Sequence, residues 1–383
     1  DLWVRDGKIV NPEPIYYLER RLADISIDCK GQLIAPGYID LQINGHFGYD
    51  FSNCEIDISE AIQKTASGLV RHGVTAFCPT LVTQSAESYH KILPQIKRTA
   101  GSKAYGAANL GAHVEGPFIS PHKKGAHPIE FIKAIDSMDT IRQTYGSLED
   151  VSIITLAPEL DPTGRHVRQL VSAGVTVSVG HSMATLQEGE RAVRAGATFI
   201  THLFNAMLPF HHRDPGLVGL LTSSAVDKQV FYGIIADGIH THYAALKIAF
   251  RSNPTGMVLV SDAISAAGLP SGKHKFGVQE IEITGNKAYI AGTDTLCGSI
   301  MALDYCVRHL KQVTGCTTVE ALECATLHPS QVLGISHRKG TLAFGGDADF
   351  NILDPELNVL ATFISGTCVS RNDSALDVDA LDV

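Results

Sequence analysis
The chain has 383 residues, 31 Lys and Arg against 40 Asp and Glu, and a formal net charge of −9. That length accommodates one large domain with a small one, or two medium domains. The mild acidity and the lack of any Lys/Arg-rich run exclude a nucleic-acid-binding surface, and the apolar stretches are strand-sized, too short to cross a membrane. The eight Cys are scattered, with no CxxC pair, which suits reduced thiols in a cytoplasmic protein rather than a disulfide framework. No signal peptide is visible, and a chain that starts at Asp1 is expected to lack a segment upstream.

Residues 1–38 read as short strands, Leu2–Arg5, Lys8–Val10, Ile25–Asp28 and Leu33–Ala35, punctuated by Gly7, Pro12, Pro14 and Gly31. The tail from Gly340 has the same texture. Gly345-Gly346-Asp347 makes a turn, and Phe350–Leu353 and Val359–Ile364 are strand-like. Two β-rich ends around a different middle predict one small β-sandwich module, built from residues 1–37 and 338–383. The Asp- and Ala-rich last residues are expected to be poorly ordered.

The middle, residues 38–337, alternates β-branched runs with helical patterns. The runs are Tyr38–Ile43, Val74–Pro79, Ala107–Val114, Val151–Ala157, Val175–Val179, Thr198–His202, Val230–Ala236 and Met257–Val260. Between them, Ile58, Ala61, Ile62, Thr65 and Leu69 form one helical stripe. Ser182–Ala195, Thr241–Ser252, Ser299–Thr314 and Val319–Leu333 supply further helices. Eight buried parallel strands with intervening helices predict a (β/α)8 TIM-like barrel of the α/β class. A doubly wound open sheet is the alternative, but no G-x-G-x-x-G opens a helix after the first strand.

Chemistry-bearing side chains fall at the ends of these runs. The third ends at Glu115, the fifth at His181, the sixth at His202 and the eighth at Ser261-Asp262, while the seventh leads into Asp237-Gly238-Ile239-His240. In a barrel these positions converge on the C-terminal mouth. Glu115, His181 and His202 then supply three N/O ligands with a fourth position for water, the stoichiometry of a catalytic zinc site; Fe²⁺, Co²⁺ or Mn²⁺ also accept this set. Taken singly, Glu115 could instead pair with Lys123 or Lys124, His181 could be a core histidine, and His202 could cap a turn. Asp262 suits a general base towards a metal-activated water, with an N-cap as its plain alternative. Gln42 and Asn44 end the first strand, where many metal-dependent barrel hydrolases place His-x-His. The fourth ends Thr155-Leu156-Ala157-Pro158, with no Lys to bridge two metals. Both absences point to one divalent ion per subunit.

The motifs HVEGPF, KKGAH, VGHS, THLFNAM, ADGIH and SDA, in this order, resemble the N-acetylglucosamine-6-phosphate deacetylases of the amidohydrolase superfamily, and the resemblance covers essentially the whole chain. It implies a hydrolase that removes acetate from an amino-sugar phosphate, a small-molecule substrate, and a homodimer. It implies that Glu115, His181 and His202 hold the metal and that Asp262 is base and then acid. Ala126 and His127 would lie against the sugar and its N-acetyl group, and Asn205 and Ala206 would contact the substrate. Arg213 and His240 would bind the 6-phosphate. Leu296, Cys297 and Gly298 would form another wall, with Cys297 where the family often has Ala. For Arg213 the residues alone leave a plain surface arginine beside Asp214 open, and for His240 a role at or behind the metal. A different metal-dependent amidohydrolase usually needs the strand-one His-x-His. A barrel that had become a sugar-phosphate sensor would be expected to have lost Asp262 or a ligand.

Overall fold
The computed structural model of the protein describes residues 1–276, 279–293 and 298–372. Eight parallel strands run in one sheet: β1 (Tyr38–Ile43), β2 (Val74–Leu81), β3 (Ala112–Glu115), β4 (Val151–Leu156), β5 (Thr176–Val179), β6 (Phe199–Ile200), β7 (Phe231–Ile234) and β8 (Met257–Leu259). Their spatial order follows the sequence. The circle closes at the mouth, where the Asp262 amide donates to the Gln42 carbonyl and the Asn44 amide to the Ala263 carbonyl, each at 2.8 Å. The fold is therefore the expected (β/α)8 barrel.

Alternation along each strand sorts the side chains. Ile39, Leu41, Cys78, Ile153, Phe199 and Val258 fill the barrel interior. The opposite faces, including Val114, Ile154, Val177 and Ile200, pack against the helices in a larger cluster. The stripe Ile58, Ala61, Ile62, Thr65 and Leu69 is buried along helix Ile58–Leu69, which Asp57 caps by accepting from the Glu60 amide.

Both ends of the chain contribute to one small antiparallel sheet. Leu33–Pro36 pairs with Phe350–Leu353, which pairs with Val359–Ile364 and that with Thr367–Arg371. The hairpin Trp3–Arg5 and Lys8–Val10 joins it where the Ile9 amide donates to the Gly346 carbonyl. Ile9, Ala348, Ile352 and Phe363 form a separate core there. These sheets fit the expected sandwich module.

Four expectations need correction. Ile25–Asp28 is not a strand: its one apolar alternation has no partner strand, and Ile25 is half exposed. The third run breaks into Ala108–Asn109 and β3, because Gly111 turns at φ +103° with its backbone against Ser152 and Asp150. Val319–Leu333 forms two helices, Thr318–Glu323 and Leu327–Val332, and the helix after His181 begins only at Leu186, at the Thr185–Glu188 capping box. After Asp262 comes an unforeseen antiparallel sheet, Gly272–Phe276, Gln279–Thr284 and Lys287–Ile290, whose Ile281 and Ile283 pack on Ala266.

Candidate active site
Glu115 ends β3 at a turn held from two sides. Tyr89 and Tyr145, both buried, donate their hydroxyls to the Gly116 carbonyl at 3.0 and 2.8 Å. Gly116 sits at φ +84°, and a Cβ there would meet the Thr83 hydroxyl at 2.2 Å, so only glycine fits. The Glu115 carboxylate is buried and has neither Lys nor Arg beside it. Lys124 instead donates to the carbonyls of Gly125 and His127. What faces Glu115 Oε1 is His181 Nε2 at 3.0 Å and His202 Nε2 at 2.9 Å, and these two nitrogens are 3.0 Å apart. The pairing with Lys123 or Lys124 is thereby set aside.

This triangle fits a cation. His181 Nδ1 donates to the Lys123 carbonyl at 2.8 Å, which leaves Nε2 of the neutral ring as a lone pair aimed at the triangle. His202 Nδ1 is buried without a partner. Three acceptors pressed together in a buried site repel one another unless a cation, or protons in its place, sits among them. Burial works against charge on both Glu115 and His202. Even so, the imidazoles hold Glu115 well below the usual carboxylate range, and Glu115 pushes His202 up to about 9. Among the described residues these three form the one group with ligand atoms close enough to share an ion. Asp237 and His240 stand outside it.

Asp262 follows β8 on a backbone at φ +45°, and no helix follows for it to cap. His181 and His202 also have positive φ, 47° and 27°. Non-glycine residues rarely sit there, at a cost of about 1–3 kcal/mol each, so the surrounding structure enforces three of the four site positions. Asn44 Nδ2 donates to Asp262 Oδ1 at 2.7 Å, and Gln42 Nε2 reaches both Asp262 Oδ1 (3.3 Å) and Glu115 Oε1 (3.2 Å). Burial first, then the Glu115 charge, push Asp262 up to about 6. One strand layer away, the buried Asp40 accepts from the Ser261 hydroxyl at 2.5 Å and fastens β8 to β1.

His127 is buried beside this group, its ring 4.5 Å from that of His181. The Thr83 amide and hydroxyl both reach its Nδ1, at 3.2 and 2.7 Å, so Nδ1 accepts and Nε2 carries the proton. Burial, aided by His181, lowers His127 to about 3, so it is a neutral donor at ordinary pH. Ala126 lies exposed next to it. Asn205 and Ala206 occupy the turn after His202, which the Ser182 amide ties down by donating to the Ala206 carbonyl at 3.0 Å.

His240 donates from Nδ1 to Asp237 Oδ2 at 2.6 Å, while Asp237 Oδ1 accepts the amides of Ile239 and His240. Burial opposes the charged ring, but Asp237 outweighs it and raises the pKa of His240. Arg213 is exposed, and its guanidinium has no partner among the described residues. The neighbouring Asp214 is occupied with the amides of Leu186 and Gly216. Gly298 borders the loop after Asp262, where a Cβ would strike Ile264 at 2.8 Å. Leu296 and Cys297 lie outside the described residues.

Gln42 and Asn44 were expected only as missing ligands, yet they hold the two carboxylates of the site. The signal available was their position at the mouth end of β1. Thr83 carried no sequence signal at all.

A barrel with a Glu-His-His cluster and a tethered Asp at its C-terminal mouth is the architecture of a metal-dependent hydrolase. The chain belongs to the amidohydrolase family, whose model matches residues 33–369. It is 55% identical over 375 residues to the N-acetylglucosamine-6-phosphate deacetylase of Danio rerio, covering 97% of this chain and 93% of that one. The fold matches the crystal structure of N-acetylglucosamine-6-phosphate deacetylase from Pasteurella multocida with a TM-score of 0.82 at 29% identity, over 97% and 94% of the two chains. It also matches a mutant of the Mycobacterium smegmatis deacetylase in complex with N-acetyl-D-glucosamine-6-phosphate, with a TM-score of 0.78 at 30% identity, over 96% and 94%. No described helix is long and apolar enough to cross a membrane.

Proposed function
We propose that this protein hydrolyses the amide of N-acetyl-D-glucosamine 6-phosphate, releasing acetate and D-glucosamine 6-phosphate, with one zinc ion per subunit held by Glu115, His181 and His202. The observation that carries the reading is the convergence of those three side chains beside a tethered, partly buried Asp262. The names of the relatives supply the substrate class.

Glu115, His181 and His202 would hold the divalent ion, which would supply an acidified water and polarise the amide carbonyl. Asp262 accepts at a carboxylate oxygen the proton shed by the attacking water. It returns that proton to the sugar nitrogen as the C–N bond breaks, since an amine leaves poorly as its anion. Its elevated pKa suits both halves of that task. His127 offers a neutral N–H at Nε2 to the carbonyl oxygen as charge grows there. Asn44 and Gln42 keep the Asp262 carboxylate turned to the reacting atoms.

Arg213 presents a planar fork of donors, and His240 a ring whose positive form Asp237 favours; together they suit the 6-phosphate. Ala126, Asn205 and Ala206 would line the sugar, with Leu296, Cys297 and Gly298 as the far wall. The reading includes a homodimer and a cytoplasmic location, which the free, buried thiols of Cys78, Cys306 and Cys324 suit. Acetate release tests it: turnover of N-acetylglucosamine 6-phosphate well above that of the unphosphorylated sugar is expected, and equal or no turnover of both contradicts it.

A further inference from the structure
Beneath the Glu115–His181–His202 triangle the barrel interior is polar where hydrocarbon is the rule. His113, Thr155, Thr201 and Ser178 are each fully buried. They form one chain: Leu41 carbonyl to His113 Nδ1 at 2.9 Å, His113 Nε2 to Thr155 Oγ1 at 2.7 Å, Thr155 Oγ1 to Thr201 Oγ1 at 2.7 Å, and Thr201 Oγ1 to Ser178 Oγ at 2.6 Å. A carbonyl only accepts, so His113 Nδ1 donates to Leu41 and Nε2 of the neutral ring must accept. Thr155 therefore donates to His113, Thr201 to Thr155, and Ser178 to Thr201. Every proton in the chain has one assigned place.

Each member sits next to a residue of the site. His113 points to the same face as Glu115, two residues on. Thr155 is the register partner of both Glu115 and Ser178. Ser178 stands three residues before His181, and Thr201 immediately precedes His202. The Leu41 carbonyl adjoins Gln42, which bonds Glu115 and Asp262. His113 and Thr201 belong to the HVEGPF and THLFNAM motifs, yet neither has a part in the chemistry above. Valine fills the space of threonine without needing partners, so packing alone does not call for this layer.

We propose that His113, Thr155, Thr201 and Ser178 are positioning residues: a directed hydrogen-bond chain that locks the strand ends carrying Glu115, His181 and His202 into the geometry a divalent ion requires. The inference rests on the metal reading above. Groups that hydrogen-bond a metal ligand directly typically change affinity ten- to a hundredfold when removed; this chain acts one step further back, through the strands that carry the ligands, so its effect is expected at the lower end of that range.

The test is Zn²⁺ affinity by chelator competition, with the visible spectrum of the Co²⁺-loaded protein. The variants are Thr201→Val, Thr155→Val, their double mutant, His113→Leu and His113→Gln. The expected result is affinity at least tenfold weaker and an altered Co²⁺ spectrum in each valine variant and in His113→Leu. His113→Gln, whose amide can donate to Leu41 and accept from Thr155, is expected to recover most of the loss. The double mutant should be no worse than the poorer single, because a chain broken once is broken. Valine variants that bind within twofold of the parent, or losses that multiply in the double mutant, overturn the proposal. If His113→Leu does not fold, the valine variants decide alone. A parent protein that binds no divalent ion overturns the metal reading, and this inference with it.

Discussion

Asn44 donates its side-chain amide to Asp262 Oδ1 at 2.7 Å across the seam where the last barrel strand meets the first. Asn44 contributes no metal ligand and no proton; it fixes where the carboxylate of Asp262 points. Asn44→Leu should leave metal content and fold intact while kcat falls, by about tenfold or more, with little change in KM. Metal analysis alongside steady-state kinetics checks this, and loss of metal in the variant would assign Asn44 a different task.

Asp262→Asn keeps the shape and the Asn44 neighbour but cannot take a proton. We expect the metal to be retained and kcat to fall by roughly 10²–10⁴. Full turnover in this variant would remove Asp262 from the proton path.

Arg213 and His240 are separate from the metal triangle, so their loss should act on binding. Arg213→Ala and His240→Gln should each raise KM for the phosphorylated sugar by roughly tenfold or more and leave kcat nearly unchanged. Neither should affect the unphosphorylated sugar. A drop in kcat with both sugars would place either residue in the chemistry instead.

Stability should respond to pH through Asp347, which ties the N-terminal hairpin to the small sheet. Burial works to raise its pKa, but Lys8 at 2.5 Å, Lys339 at 3.2 Å and Arg338 at 3.1 Å hold it at about 2. The folded pKa lies below the unfolded one, so the unfolded chain binds the proton more readily. The stabilisation, which solvent screening around the half-exposed Lys8 and Arg338 keeps modest, is therefore fully present above pH about 4 and is lost as pH falls towards 2. Urea midpoints of the parent and Asp347→Asn should differ most above pH 4 and converge on acidification. A constant gap would contradict this.

The eight barrel strands and the convergence of Glu115, His181 and His202 were legible because burial on both faces forces near-continuous β-branched runs, and because these three side chains and Asp262 share one rank on them. The insertion after Asp262 was not legible, although Gln279–Thr284 alternates Glu and Ile, because a short antiparallel sheet interrupts the strand–helix rhythm of the barrel there. Gln42 and Asn44 were seen only as absent histidines. Their bonds to Glu115 and Asp262 depend on how the closed barrel brings the end of β1 towards the ends of β3 and β8, which no local pattern encodes. Thr83, whose contacts set the His127 tautomer, lies 44 residues away in sequence. Hydrogen bonds of that separation exist only once the barrel has closed.

Anomalous diffraction from zinc-loaded crystals tests the central claim most directly. One peak per chain is expected, bonded at about 2.0–2.2 Å to Glu115 Oε, His181 Nε2 and His202 Nε2, with the Asp262 carboxylate facing its open side. A peak held by other residues, or no ion at this cluster in protein that still releases acetate, contradicts it.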